Sequence, residues 1–392
     1  MAYRKFKTDN IFTGREILNN DSVLIANQDG SIEALISQSE AGDGIEFLPG
    51  MLCPGLINCH CHLELSHLKG AISRGTGLTD FVYAVVTQRH FKVEEIYEAI
   101  GFAEEEMLSN GIIAVGDICN NLHTLIQKQK QRLYYYNFIE VSGWLPAIAS
   151  ARFEKSKLFY ERFLELSPNL NRVAMAPHAP YSVSDELWQL LIPYYKERTT
   201  SIHNQEAIFE DELFETGKGD MLRMYELLNI DNRFFKPSGK SSLQTYLSKL
   251  EQAKNILLVH NTFIKMDDLL FAEIFKDKLF FCLCVNANQY IEQALPPIDL
   301  LRKSGCRIVL GTDSLASNTH LNILEEIKTI VQFFPDIPLV EALQWATIRG
   351  AEALNLDDQL GSFEPGKQPG INLIANLDGP GLTSASTIKR IL

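Results

Sequence analysis

The chain has 392 residues, of which 46% are hydrophobic and 22% charged. That balance belongs to a globular chain with a sizeable core and excludes a largely disordered one. The formal net charge is −13, which sets the surface against phosphate backbones and argues against broad nucleic-acid binding.

The densest basic run, Lys128 to Arg132, reads as the solvated end of a helix. The opening residues MAYRKFKTDN lack the apolar stretch of a secretory signal. No run approaches the roughly 20 apolar residues that cross a membrane. The cysteines are Cys53, Cys59, Cys61, Cys119, Cys282, Cys284 and Cys306. An odd number in a long chain without a leader points to reduced thiols and a cytoplasmic location.

Short alternating segments come first, Ser22 to Ala26 and Ile32 to Ile36, separated by the turn formers Asn19-Asn20-Asp21 and Asp29-Gly30. The rhythm returns after the turn-rich Gly361 to Lys367, with strands expected at Ile371 to Ala375 and Thr387 to Leu392. The two termini are therefore expected to share one small β-domain. Between them, strand-length apolar runs fall at about 55–62, 112–117, 133–140, 172–177, 200–203, 255–260, 279–284 and 307–312. Helical stretches separate them. In Val93 to Asn110, Ile96, Ile100, Ala103 and Met107 keep the helical period, and Gly111 suits the left-handed position that ends a helix; Ser184 to Lys196 is a second example. Eight strands alternating with helices predict an α/β fold, a (β/α)8 TIM barrel. No glycine-rich phosphate loop follows the first strand, which disfavours the doubly wound alternative. The domain division expected is 1–54 plus 358–392 for the terminal β-domain and 55–357 for the barrel. The longest insertion, Glu206 to Ser242, is a candidate lid, and Phe234 and Phe235 in it are candidates for stacking on a ring or for core packing.

Function is read from the residues that end these strands. The first ends in Asn58-Cys59-His60-Cys61-His62, the fourth in Pro177-His178, the fifth in His203, the sixth in His260 and the eighth in Gly311-Thr312-Asp313. In a barrel, strand ends converge on one face. Each residue alone has an ordinary explanation, but their joint placement predicts a shared metal site. Strand alternation puts His60 and His62 on one side and turns Cys59 and Cys61 away toward the helices. Those two cysteines, and Cys282 and Cys284, are expected to be packing residues. Imidazole and carboxylate donors suit one divalent ion: zinc, with iron or manganese as substitutes. His67, His90, His123 and His320 fall outside the pattern and read as surface or structural.

Pro54 to His62, His203-Asn204-Gln205-Glu206, His260-Asn261 and Leu310 to Asn318 together resemble the amidohydrolase superfamily, in particular its metal-dependent aminohydrolase (deaminase) branch, which acts on adenosine analogues, S-adenosylhomocysteine, guanine, cytosine and triazines. The resemblance implies the barrel with a composite β-sandwich built from both termini. It implies metal ligation by His60, His62, His203 and Asp313, roles for Glu206 and His260 beside the metal, and a substrate contact from His178. Binuclear members carry a carboxylated lysine on the fourth strand; Arg172 to Pro177 holds no lysine, so one metal is expected. His62-Leu63-Glu64-Leu65-Ser66 resembles a segment of aminofutalosine deaminases, which makes Glu64 a candidate substrate contact. Val285 stands where relatives often have proline.

These readings give a hydrolase acting on non-peptide C–N bonds. The expected reaction deaminates an aminated purine nucleoside or related heterocycle, with metal-activated hydroxide attacking the amino-bearing carbon and ammonia leaving. Glu206 shuttles protons, Asp313 serves as ligand and base, and His260 holds the attacking oxygen. The alternatives are a hydrolase that opens a cyclic amide or imidazolone ring and a non-catalytic metal-binding protein. The expected partner is a small-molecule substrate, with no nucleic acid and no membrane, and the resemblance suggests a homodimer.

Overall fold

In the computed structural model, which describes residues 3–88, 90–379 and 381–392, the chain opens with five strands: β1 (Tyr3–Phe12), β2 (Ile17–Leu18), β3 (Ser22–Asn27), β4 (Ile32–Ser37) and β5 (Ile45–Pro54). The last two strands, β14 (Ile371–Ala375) and β15 (Thr387–Arg390), join them. The result is one seven-stranded sheet in the order β15-β14-β5-β1-β3-β4, with β2 on β1. Antiparallel pairing of β14 with β5, Ile371 opposite Pro54, ties the two ends of the chain together. The composite character expected of the terminal strands is thus present, with both ends of the chain contributing to one hydrogen-bonded sheet.

Eight parallel strands lie between: β6 (Leu56–Cys61), β7 (Ile112–Cys119), β8 (Tyr134–Val141), β9 (Asn171–Pro177), β10 (Thr199–Asn204), β11 (Asn255–His260), β12 (Leu279–Leu283) and β13 (Ile308–Leu310). They form two four-stranded sheets, β6-β7-β8-β9 and β10-β11-β12-β13. No continuous ladder joins the two sheets, so the barrel is not closed by strand pairing. Isolated bonds cross both seams instead. The His203 N–H donates to the His178 carbonyl at 3.0 Å, and the N–H groups of Thr312 and Asp313 both donate to the His60 carbonyl at 3.0 Å. Asn58 Nδ2 reaches Thr312 Oγ1 at 2.7 Å.

The strands are buried on both faces, as parallel strands flanked by helices must be. One layer, with Leu56, Cys61, Val115, Met175, Ile202 and Leu258, packs against helix residues such as Leu187 and Ile327. The alternate residues, including Ile57, Ala174, Leu257 and Cys282, form a second cluster with Ala351 and Leu354. Cys59 belongs to this second cluster, with its Sγ 3.8 Å from the Gly350 carbonyl of the helix Ile348–Ala353, and Cys61 to the first, so both cysteines pack against helices as expected but in different layers. The β6–β7 register shifts between Asn58 and Cys61, and such an irregularity breaks strict alternation. The helix Val93–Ser109 is as the period predicts, and Gly111 beyond it takes φ +73. Asp185–Leu191 is shorter than expected; Ser184 caps it by accepting from the Leu187 N–H.

A third apolar cluster lies beyond the strand ends. Leu65, Trp144, Tyr181, Ala207, Ile291 and Ala316 meet there, and each comes from a segment that follows a parallel strand. The insertion 206–242 supplies the helices Ile208–Thr216 and Met221–Leu227 to this roof. Trp144 stacks on Tyr225 at 5.5 Å and lies 5.6 and 5.1 Å from Phe234 and Phe235. Phe235 is therefore part of the roof's packing, and Phe234 touches Trp144 from its exposed edge. Among the described residues, no helix is long and apolar enough to cross a membrane.

The basic run also departs from expectation. Lys130 and Arg132 are exposed, but Lys128, at the end of the short helix Leu125–Lys128, is 1% exposed. Asp117 on β7 is its partner. A run of charges on a sequence says nothing of a single member that turns inward to a buried carboxylate.

Candidate active site

His60 ends its strand one residue short of Cys61, and His62 follows it. Their Nε2 atoms lie 3.2 Å apart, and His62 Nε2 lies 3.3 Å from His203 Nε2. Asp313 Oδ1 stands 3.6 Å from His60 Nε2 and 3.5 Å from His62 Nε2. The four residues named from the strand ends thus share one point in space. All are buried.

The electrostatics suit a cation. Burial pushes every imidazole toward its neutral form: His60 and His203 are lowered, and His62 falls to about 3. His203 Nδ1 lies 2.6 Å from the His178 carbonyl, so it carries the proton and leaves the Nε2 lone pair facing the cluster. The Nε2 atoms of His60 and His203, 3.2 and 3.3 Å from that of His62, form with it a compact set of ring nitrogens that a single cation can bridge. Burial would raise the Asp313 carboxyl, but hydrogen bonding to His60 and the nearby His62 and His260 rings hold it far below the carboxylate range. Its Oδ2 accepts from Ser317 Oγ. The donor set of three imidazoles and one carboxylate fits a divalent ion.

His260 and Glu206 stand beside this cluster. His260 Nε2 is 3.5 Å from Glu206 Oε1. Burial, and after it Asp313 and Glu292, raise the Glu206 carboxyl well above its usual range. Gln205, His260, Asn261 and Asp313 all take positive φ, between 44 and 74. Left-handed backbone is costly for such residues. Here it turns the chain sharply at the ends of β10, β11 and β13; His260 and Asp313 face the imidazole cluster, while Gln205 Nε2 bonds Asp211 and Asp268 and Asn261 Nδ2 bonds the Leu258 carbonyl, which fixes the turns. Glu210 secures one such turn: its Oε1 accepts the Gln205 N–H at 3.0 Å and its Oε2 the Glu206 N–H at 3.4 Å.

His178 sits just past β9, with Nδ1 2.8 Å from Ser182 Oγ and its ring 4.8 Å from that of His203. Glu64 is buried in the turn Leu63–Leu68, and its Oε2 accepts the Asn120 N–H at 2.9 Å. The remaining histidines lie apart from the cluster. His320 is exposed and pairs with Glu106, His90 is exposed, and His67 and His123 lie against Phe91 and Tyr97.

Two residues were not foreseen. Glu140, on β8, lies 3.9 Å from His203 Nδ1, and its carboxylate groups with His178 and His203 within 4.8 Å. His203 Nδ1 is already bonded to a carbonyl, so this second grouping offers no independent set of three donors. The expected strand 133–140 ends on Glu140, and that was its signal. Asn288, in the helix Val285–Ile291, is the other: its Oδ1 lies 2.9 Å from His260 Nδ1.

The amidohydrolase family profile matches residues 51–389. The chain belongs to the amidohydrolase family. An adenosine deaminase of Helicobacter pylori is 27% identical over 337 residues, covering 83% of this chain and 79% of that protein. A 5-methylthioadenosine/S-adenosylhomocysteine deaminase of Teredinibacter turnerae is 28% identical over 338 residues, 82% of this chain and 71% of that protein. The structure of Helicobacter pylori aminofutalosine deaminase superposes with a TM-score of 0.81 at 21% identity, covering 100% of both chains. This amidohydrolase therefore shares its fold with deaminases and keeps full-length likeness to them.

Proposed function

We propose that this amidohydrolase is a metal-dependent deaminase of an adenosine-type nucleoside, converting an amino-bearing ring carbon to the oxo form with release of ammonia. One observation carries the reading. A buried carboxyl with raised proton affinity, Glu206, lies 3.5 Å from His260 and next to a cluster of neutral imidazoles. A protein that only bound metal would have no use for such a proton carrier. The deaminases named above support the substrate class.

In this reading His60, His62, His203 and Asp313 hold one divalent ion, zinc by the nitrogen and oxygen donor set. The ion supplies Lewis-acid activation of water near neutral pH. The chain's own groups do the rest. Glu206 holds a proton at its carboxyl and gives it to the ring nitrogen beside the reacting carbon. Asp313 accepts a proton through its carboxylate and passes it to the departing amino group, which leaves as ammonia; Glu206 recovers its proton from the attacking oxygen, which His260 orients. His178 and Glu64 contact the substrate. The apolar roof excludes water from the reacting groups, and the insertion 206–242 acts as its lid.

The same reading takes residues 55–357 as one (β/α)8 barrel, with 1–54 and 358–392 as the composite β-sandwich domain. It describes a cytoplasmic enzyme with a small-molecule substrate, no nucleic-acid or membrane partner and, from the resemblance, a homodimeric state.

The test is ammonia release by zinc-loaded protein from aminofutalosine, adenosine, S-adenosylhomocysteine, methylthioadenosine, guanine and cytosine. Release from at least one nucleoside is expected. No release from any member, with one equivalent of zinc bound, overturns deamination and redirects the search to ring opening of cyclic amides.

A further inference from the structure

The exits of β6 and β7 hold each other by two reciprocal hydrogen bonds. Asp117 Oδ1, on β7, accepts the Leu63 backbone N–H at 2.8 Å. In the other direction, Glu64 Oε2 accepts the Asn120 backbone N–H at 2.9 Å. Leu63 lies between His62 and Glu64. The clamp therefore closes on the short stretch of backbone that joins a metal-site imidazole to a proposed substrate contact.

Lys128 stands behind the clamp. Its Nζ donates to Asp117 Oδ2 and lies 3.2 Å from Cys119 Sγ. The ammonium also sits 4.8 Å from the Tyr135 ring centroid and 5.0 Å from that of Phe163, distances at which an aromatic face attracts a cation. Burial works to lower the Lys128 pKa, but Asp117 and Cys119 outweigh it, so the group stays charged. Buried ion pairs are commonly no more stabilising than apolar residues of the same volume. Stability alone therefore gives no reason for this pair. What an apolar pair lacks is an oxygen for the Leu63 N–H, fixed in place by a second bond to its own carboxylate.

We propose that Asp117 is a positioning residue that sets the placement of His62 and Glu64 through the Leu63 amide, with Lys128 as the counter-charge that holds its carboxylate, a part that an asparagine amide bonded to Cys119 can replace. The role assigned to Glu64 rests on the deaminase reading above; the role toward His62 needs only the metal. Lys128 fixes the rotamer of Asp117, Asp117 fixes the peptide, and the peptide fixes the two functional side chains on either side of it. None of the pair's own atoms reaches the imidazole cluster in a hydrogen bond, so its influence passes through the backbone.

Two double variants separate positioning from folding. D117L/K128M removes both charges and the acceptor for Leu63, leaving no buried ion unpaired. D117N/K128M removes both charges but keeps an oxygen for the Leu63 N–H and a donor for Cys119. The readouts are zinc affinity by chelator competition, Tm, and separate kcat and KM for the nucleoside found in the panel. D117L/K128M is expected to lose about 10–100-fold in zinc affinity or in kcat/KM, the range for residues that orient metal ligands, while D117N/K128M stays within a few-fold of the parent. A folded D117L/K128M with parental zinc affinity and kinetics overturns the proposal. So does a folded D117N/K128M that loses more than tenfold, which also decides the matter if D117L/K128M does not fold. If the parent deaminates nothing, the deaminase reading fails, but the zinc measurements still judge the clamp.

Discussion

Asn288 Oδ1 lies 2.9 Å from His260 Nδ1, and His260 Nε2 lies 3.5 Å from Glu206 Oε1. The asparagine oxygen can only accept, so the imidazole carries its proton on Nδ1 and turns an unprotonated Nε2 toward the Glu206 carboxyl. Asn288 is itself held, since its Nδ2 donates to Thr262 Oγ1 at 2.5 Å. The tautomer of His260 is thus built into the helix Val285–Ile291 after β12.

Replacing Asn288 by leucine removes that acceptor while keeping the side-chain volume. The ring of His260 is then free to take either tautomer or to rotate. N288L is expected to lower kcat by about 10–100-fold, as for other residues that orient a functional histidine, with a smaller change in KM. Steady-state kinetics with the Tm as control measure this. Parental kcat in a folded N288L protein would show that the tautomer does not matter.

Glu206 is the most demanding assignment, because it alone distinguishes an enzyme from a metal binder. E206Q keeps the shape of the side chain and removes its ability to exchange a proton. Turnover is expected to fall by about 10²–10⁴-fold, the usual contribution of a general acid–base group. Zinc content is expected to stay at one equivalent, because Glu206 is no part of the imidazole cluster. Metal analysis and ammonia release on the same preparation test both halves. Loss of zinc together with activity would instead make Glu206 a ligand.

How far the sequence foretells this site depends on where each residue gets its orientation. His60, His62, His203, His260 and Asp313 lie at or just beyond strand ends, and the count of strands alone brings them to one face. Glu206 follows His203 closely enough to share its turn. Asn288 and Asp117 act through hydrogen bonds to residues 28 and 54 positions away, and no local pattern encodes such a pairing. Lys128 is hidden by its neighbours: four of the five residues from Lys128 to Arg132 are polar and exposed, and only the tertiary contact with Asp117 tells it apart. Cys59 and Cys61 show a related limit, since with the register shift between Asn58 and Cys61 two residues two positions apart fall in different apolar layers, which alternation does not foresee. The single terminal sheet, by contrast, follows from apolar alternation and turn residues that are local to each strand.

Glu326 offers a pH-dependent check on the buried framework. It is fully buried, accepts from the Asn286 N–H at 3.0 Å and from Asn318 Nδ2 at 2.9 Å, and burial nevertheless pushes its carboxyl up to about 8. In the unfolded chain the same carboxyl ionises near its ordinary value of about 4.3. The unfolded state therefore loses its proton first as pH rises, and that loss favours unfolding. The contribution of Glu326 to stability is greatest below about pH 4 and declines through the window up to pH 8, by at most about 1.4 kcal/mol per pH unit. Above pH 8 both states are ionised and the decline stops. E326Q carries no ionisable group there, so its stability lacks this component. Relative to E326Q, the parent is expected to be progressively less stable from pH 5 to pH 8, with a constant gap beyond. Denaturant midpoints of the two proteins across that range measure the difference, and a gap that stays level from pH 5 to pH 9 would mean that Glu326 ionises alike in the folded and unfolded chains.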